Sequence, residues 1–239
     1  PHGIYIRPAD AWVDPSIPQH RALVTHGHAD HARGGHAAVW ATPETLAIMD
    51  TRYGEQAGHP VAYGETIRLG EVEASFAPAG HVLGSAQILL EYRGERIVVT
   101  GDYKRRADPT CAPFEVVPCD IFVTEATFGL PVFRHPPTGD EIAKLIGAVR
   151  AEPDRAILVG AYALGKAQRV IAELRGAGWN APIYVHGALE RMCTLYAAHG
   201  VDLGELRLVS ETDKAAMAGQ IVIAPPSALN DRWSRRLPD

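Results

Sequence analysis

The chain has 239 residues, of which 46% are hydrophobic and 21% charged, with a formal net charge of −5. That describes an ordinary soluble globular protein, with core enough for one large domain or two modest ones. No apolar run reaches the ~18 residues of a membrane span and no charged-then-apolar leader opens the sequence, so a cytoplasmic protein is expected. Cys111, Cys119 and Cys193 lie far apart with no C-x-x-C pair, which points away from a disulfide framework or a thiolate zinc site. The charge gives no global footprint for nucleic acid. Two bound divalent cations would, however, add about four positive charges where a phosphate must sit.

Up to about residue 125 the sequence reads as short β-rich runs broken by Gly, Pro and Asp. Strands are predicted over 3–6, 21–25 and the alternating 72–76, and a hairpin over 87–92 and 96–100 around Arg93-Gly94-Glu95. One helix is predicted from Pro43, a residue suited to a first helical position, through Thr51. From about Thr138 the texture becomes strand–helix alternation. Helices are predicted over 140–150, 164–175 and 188–199, the last two closed by Gly176 and Gly200, with strands over 156–160, 183–185 and 221–224. This second part reads as α/β with parallel strands, and the boundary falls in the Pro-rich stretch 129–137.

The chemistry concentrates in Thr25-His26-Gly27-His28-Ala29-Asp30-His31, directly after a predicted strand. A helix would put 26 and 30 on one face and scatter the other two. A tight loop at a strand end can turn all four side chains to one point, and imidazole with carboxylate suits zinc or manganese. Two later strand ends offer more ligands: His81 between Gly80 and Gly84, and Asp102 in a Gly-Asp turn, where each carboxylate oxygen could bind one of two cations. Alone, either would read as a loop histidine or a turn aspartate.

H-x-H-x-D-H, then a lone Gly-His, then a strand-terminal Gly-Asp resembles the ligand order of the metallo-β-lactamase superfamily. The resemblance implies an α/β fold, an αββα sandwich with two divalent metals at one edge, zinc first and manganese second. It places His26, His28 and His81 on one metal, Asp30 and His31 on the other, with Asp102 bridging. Ile121-Phe122-Val123-Thr124-Glu125-Ala126-Thr127 resembles the first motif of the β-CASP nuclease branch, and Gly160 to Gln168 resembles the strand-to-helix turn of its cap. With Gly101 to Arg106, these segments are most similar to bacterial DNA-ligase-associated exonucleases. A metallo-β-lactamase domain over 1–129 and a β-CASP-type cap over 130–239 are therefore expected. Glu125 is expected to accept from a ligand imidazole and fix its tautomer. The family's two further histidines find no match after Val185, since His186 lies inside the cap, so the return segment and a seventh ligand are expected to lie outside this chain.

Two cations about 3.5–4 Å apart lower the pKa of a shared water and hold attacking and leaving oxygens in line. Asp30 and Asp102 are the expected orienting carboxylates. Ser85, Lys104 and Lys166 are candidate phosphate contacts, Lys166 because it opens a predicted helix. Arg105 and Arg106 extend the Lys104 charge run, and Tyr162, which could stack on a base, reads first as a core residue. The resemblance points to metal-dependent hydrolysis of nucleic acid, with single-stranded DNA and exonucleolytic repair ahead of an RNA-processing activity and a functional link to a DNA ligase. A small-substrate hydrolase is disfavoured by the α/β segment after Glu125, and a non-catalytic nucleic-acid-binding scaffold by the six ligands.

Overall fold

Short strands with one buried face build the first 129 residues. The computed structural model describes residues 2–238, which divide into two units, Pro1–Gly129 and Leu130–Asp239. In the first unit, β1 (Ile4–Ile6), β2 (Ala11–Val13), β3 (Ala22–Leu23), β4 (Val39–Ala41) and β5 (Gly58–Pro60) form one sheet in that order. Only β1–β2 is antiparallel; β2 to β5 run parallel. The helix α1 (Pro43–Tyr53) follows β4, with Thr42 capping it by accepting from Thr45 N–H.

The second sheet has the order β10-β9-β8-β7-β6, from β6 (Thr66–Leu69), β7 (Val72–Pro78), β8 (Ala86–Tyr92), β9 (Glu95–Val99) and β10 (Ile121–Val123). It is antiparallel except for β9–β10. The β8–β9 loop is two residues, Arg93 and Gly94, both at positive φ, which matches the strand twist.

Alternation along the strands sorts residues into layers. Ala11, Val13 and Leu23 of the first sheet share one core with Ala74, Phe76, Ile88 and Leu90 of the second. Ala22, Val24, Val39 and Ala41 face the other way, onto Leu46 and Met49 of α1. The first unit is thus helix on sheet on sheet. An outer helix completing an αββα sandwich is not among its described residues. The extended segment before β10 crosses the second sheet's outer face instead, where buried Gln87 donates to the Pro78 and Glu115 carbonyls. At that sheet's edge β10 is exposed throughout, Phe122 to 48%.

The second unit is a four-stranded sheet in the order β11-β14-β12-β13, parallel throughout, from β11 (Ile157–Gly160), β12 (Ile183–Val185), β13 (Leu206–Leu208) and β14 (Ile221–Ala224). Helices α2 (Thr138–Ala151), α3 (Lys166–Gly176) and α4 (Gly187–Ala198) connect or precede its strands. The fully buried Ile221 to Ala224 run through its interior, as expected for a strand covered on both faces. No helix among the described residues is long and apolar enough to cross a membrane.

Candidate metal centre

Three strand ends deliver the candidate ligands. After β3, the chain turns through His26 to Ala32, closed by His31 N–H and Ala32 N–H donating to the His28 carbonyl. Gly27 lets this loop lie on α1, because a Cβ there would meet Ile48 Cγ2 at 2.6 Å. After β7, Ser85 Oγ accepts from His81 N–H and Val82 N–H at 3.0 and 3.1 Å and shapes the loop that presents His81. After β9, Gly101 has φ +54°, and a Cβ on it would strike Thr25 Oγ1 at 2.5 Å. That close approach sets Asp102 beside the histidines.

His28 Nδ1 lies 3.1 Å from both His26 Nε2 and His81 Nε2. Asp102 Oδ2 is 3.6 Å from His81 Nε2 and 3.9 Å from His26 Nε2, while Asp102 Oδ1 is 3.5 Å from His31 Nε2. Ligand atoms of His26, His28, His81 and Asp102 all fall within 4.8 Å of one another. Asp102 therefore turns one oxygen to this cluster and the other to His31, whose Nε2 is 3.8 Å from Asp30 Oδ2.

The tautomers follow from a residue that the sequence reading passed over. Asp14, at φ +46°, accepts Thr25 N–H at 2.8 Å on Oδ1. Its Oδ2 accepts Thr25 Oγ1–H at 2.6 Å and His31 Nδ1–H at 2.8 Å. With its proton committed to Asp14, the Thr25 hydroxyl can only accept from His26 Nδ1, 3.0 Å away. In their neutral forms both imidazoles thereby keep Nε2 unprotonated and facing the cluster. His28 Nδ1 has one proton at most and lies equally near the His26 Nε2 lone pair and His81 Nε2, with the Asp102 carboxylate alongside, so the donor set is rich in lone pairs. A divalent cation fits that donor set.

Burial, then the neighbouring imidazoles, push His26 well below the ordinary histidine value, and the same causes push His81 down to about 3. Burial also opposes charge on His31, but Asp14, Asp102 and Asp30 outweigh it and raise its pKa. Burial raises Asp102, with Glu125 and Asp30 adding to it against His31. Between about pH 5 and 6.5 an unfolded chain protonates His26 and His81 while the folded chain does not. In that window His31 is protonated in both states, and its stabilisation is lost only as pH rises through its raised value; Asp102, raised by burial, contributes with the opposite sign. The metal-free chain should therefore lose stability as pH falls across this range, by up to ~1.4 kcal/mol per pH unit for each of the two histidines. Urea unfolding in chelator checks this, and a flat or reversed profile contradicts the neutral cluster.

The remaining predicted residues are placed as follows. The Asp30 side chain is 79% exposed. Glu125 is half-buried, accepts from Thr127 N–H at 2.6 Å and lies close enough to raise Asp102; this local turn contact stands where an imidazole contact was expected. Ser85 is buried, its hydroxyl oxygen accepting from two backbone N–H groups that shape the His81 loop. Lys104 ion-pairs with Asp108, whose side chain is 2% exposed, and its charge still reaches His81. Lys166 is in the second unit, exposed at the start of α3, with Nζ 5.0 Å from the ring centre of Tyr162. Tyr162 is 63% exposed, which corrects its reading as a core residue. His186 caps α4 by accepting Ala188 N–H and meets Trp233 edge-on, and His199 ends the same helix.

No family model matches the chain. A probable DNA ligase from Opitutus terrae is 31% identical over 244 residues, covering 99% of this chain and 23% of that protein. The endoribonuclease ysh1 of Aspergillus fumigatus is 32% identical over 62% of this chain and 17% of its own length. Ribonuclease TTHA0252 of Thermus thermophilus is 28% identical over 73% of this chain and 48% of its own. The chain thus spans less than half of each of these relatives. A structure of a protein of unknown function from Enterococcus faecalis shares the fold, with a TM-score of 0.54 at 15% identity over 88% of this chain and 56% of that one. The chain belongs to the metallo-β-lactamase superfamily, in its β-CASP nuclease branch.

Proposed function

We propose that the chain hydrolyses phosphodiester bonds of nucleic acid, using two divalent cations, zinc first and manganese as the alternative. His26, His28, His81 and Asp102 would hold one, and Asp30, His31 and the other Asp102 oxygen the second. The observation that carries this is the convergence of three imidazole nitrogens and Asp102 on one point, with the His26 and His31 tautomers set by Asp14. When bound, the cations supply a water of lowered pKa and positive charge for the phosphoryl oxygens.

The chain's own residues do the rest. Asp14 and Thr25 aim His26 and His31. Asp102 spans the two halves of the centre, and exposed Asp30 can swing to His31. Glu125 adds negative charge near Asp102. We read residues 1–129 as the metallo-β-lactamase domain and 130–239 as the β-CASP-type cap. In the cap, Lys166 and Tyr162 offer a cation and an exposed ring, a pairing that suits a base and its phosphate. Lys104 contributes less, since buried Asp108 offsets its charge.

Single-stranded DNA is the favoured substrate and exonucleolytic DNA repair in the cytoplasm the favoured setting. What supports this is that the relative matching 99% of the chain is a probable DNA ligase, which also motivates a functional link to a ligase. RNA is the second reading, because other relatives carry the names endoribonuclease and ribonuclease. End-labelled single-stranded DNA and RNA of matched sequence, incubated with zinc or manganese, separate the two. Faster loss of DNA from its ends is expected. Preference for RNA would overturn the substrate choice, and hydrolysis of neither the function.

A further inference from the structure

Two of the three ligand-bearing loops rest on the same helix. At its first turn, the hydroxyls of Thr42 and Thr45 lie 2.7 and 3.0 Å from the Gly84 carbonyl, in the loop that presents His81. At its last turn, Arg52 donates from one guanidinium nitrogen to the Gly27 carbonyl at 2.6 Å, and Ile48, one turn earlier, packs beneath Gly27. Gly27 lies between His26 and His28, so the tilt of its peptide sets the direction in which His28 leaves the backbone. A loop carbonyl has no strand neighbour to hold it, and a charged donor holds it more firmly than a neutral one.

We propose that α1 is a splint for the metal centre and that Arg52 is its positioning residue, fixing His28 against His26 through the Gly27 carbonyl. This rests on the metal-centre reading above. The sign of the effect separates positioning from charge. A cation beside a cation site repels the incoming metal, so removing Arg52 for its charge alone would tighten metal binding. Removing it as a support weakens binding, as loss of an outer partner of metal ligands does, by about 10–100-fold.

The test is cobalt(II) titration of the full chain, followed by calorimetry and the visible absorption band, on wild type, Arg52→Met and Arg52→Lys, with thermal melts of the metal-free proteins. Binding weakened about 10–100-fold in Arg52→Met, with an altered band and substantial recovery in Arg52→Lys, is the expected result. Equal or tighter binding by Arg52→Met overturns the proposal. If that variant does not fold, Arg52→Gln, whose shorter amide cannot reach Gly27, is read by the same criterion. Wild type that binds no cobalt fails the metal reading itself, a different outcome from unaltered binding in the variant.

Discussion

Asp102→Ala should abolish metal-dependent hydrolysis of single-stranded nucleic acid, by at least ~10³-fold, while the fold survives. The magnitude follows from position: losing an outer partner of a metal ligand costs about 10–100-fold, and Asp102 is itself the one side chain facing both halves of the centre. The fold should survive because Asp102 lies past the end of β9 and is only half-buried with a raised pKa, so its charge is a burden on the metal-free chain. Removing it relieves that burden, and the metal-free variant should unfold at the same urea concentration as wild type or a higher one. Turnover by Asp102→Ala within about tenfold of wild type would remove Asp102 from the centre.

Asp14→Asn is expected to weaken metal binding, by less than the loss of a ligand itself, although Asp14 touches no metal-ligating nitrogen of the cluster directly. The amide oxygen can still accept Thr25 N–H, and asparagine tolerates φ +46° as aspartate does, so the backbone is preserved. The amide nitrogen that replaces Oδ2 cannot accept from the Thr25 hydroxyl or His31 Nδ1. His26 and His31 then lose their fixed tautomers together, and zinc affinity should fall about 10–100-fold. Two lost bonds to a charged acceptor should also cost the metal-free chain about 2–3 kcal/mol. Calorimetric zinc titration and urea unfolding check both figures. Wild-type zinc affinity in Asp14→Asn would show that Asp14 supports only the turn.

The ligand cluster was legible because chemistry and spacing coincide in it. Four donors in six residues after an apolar run have few structural explanations, and His81 and Asp102 gained meaning only from their order behind that run. Asp14 was not legible: it is one aspartate after a three-residue strand, and its role depends on a hydroxyl and an imidazole 11 and 17 residues away. Nor was Arg52, which looks like any basic residue in a helix's last turn. The loop-shaping bonds of Ser85 were not legible either, because a sequence does not tell a hydroxyl that faces a substrate from one that closes its own loop. Lys104 had a readable warning in Asp108, four residues on.

The same contrast runs through the fold. The alternating β7 and the Arg93-Gly94 hairpin carry a period and a turn, and both stand where the pattern put them, although the turn is shorter by one residue. Of the parallel-paired strands β2 to β5, only two or three residues long, β3 lies within the run expected over 21–25, while β2, β4 and β5 are too short for any period to show. The second unit was more transparent, since two of its helices end at or just before a Gly and β14 is an apolar run stopped by Pro, although the three-residue β13 was not foreseen.

The central claim is most directly tested by elemental analysis of the purified chain, dialysed against zinc and then against metal-free buffer. Two ions per chain at saturation are predicted, with the one at His26, His28, His81 and Asp102 retained longer, because its donors already converge. Saturation at one ion would contradict the dinuclear reading, and a chain that holds none would contradict the metal centre altogether.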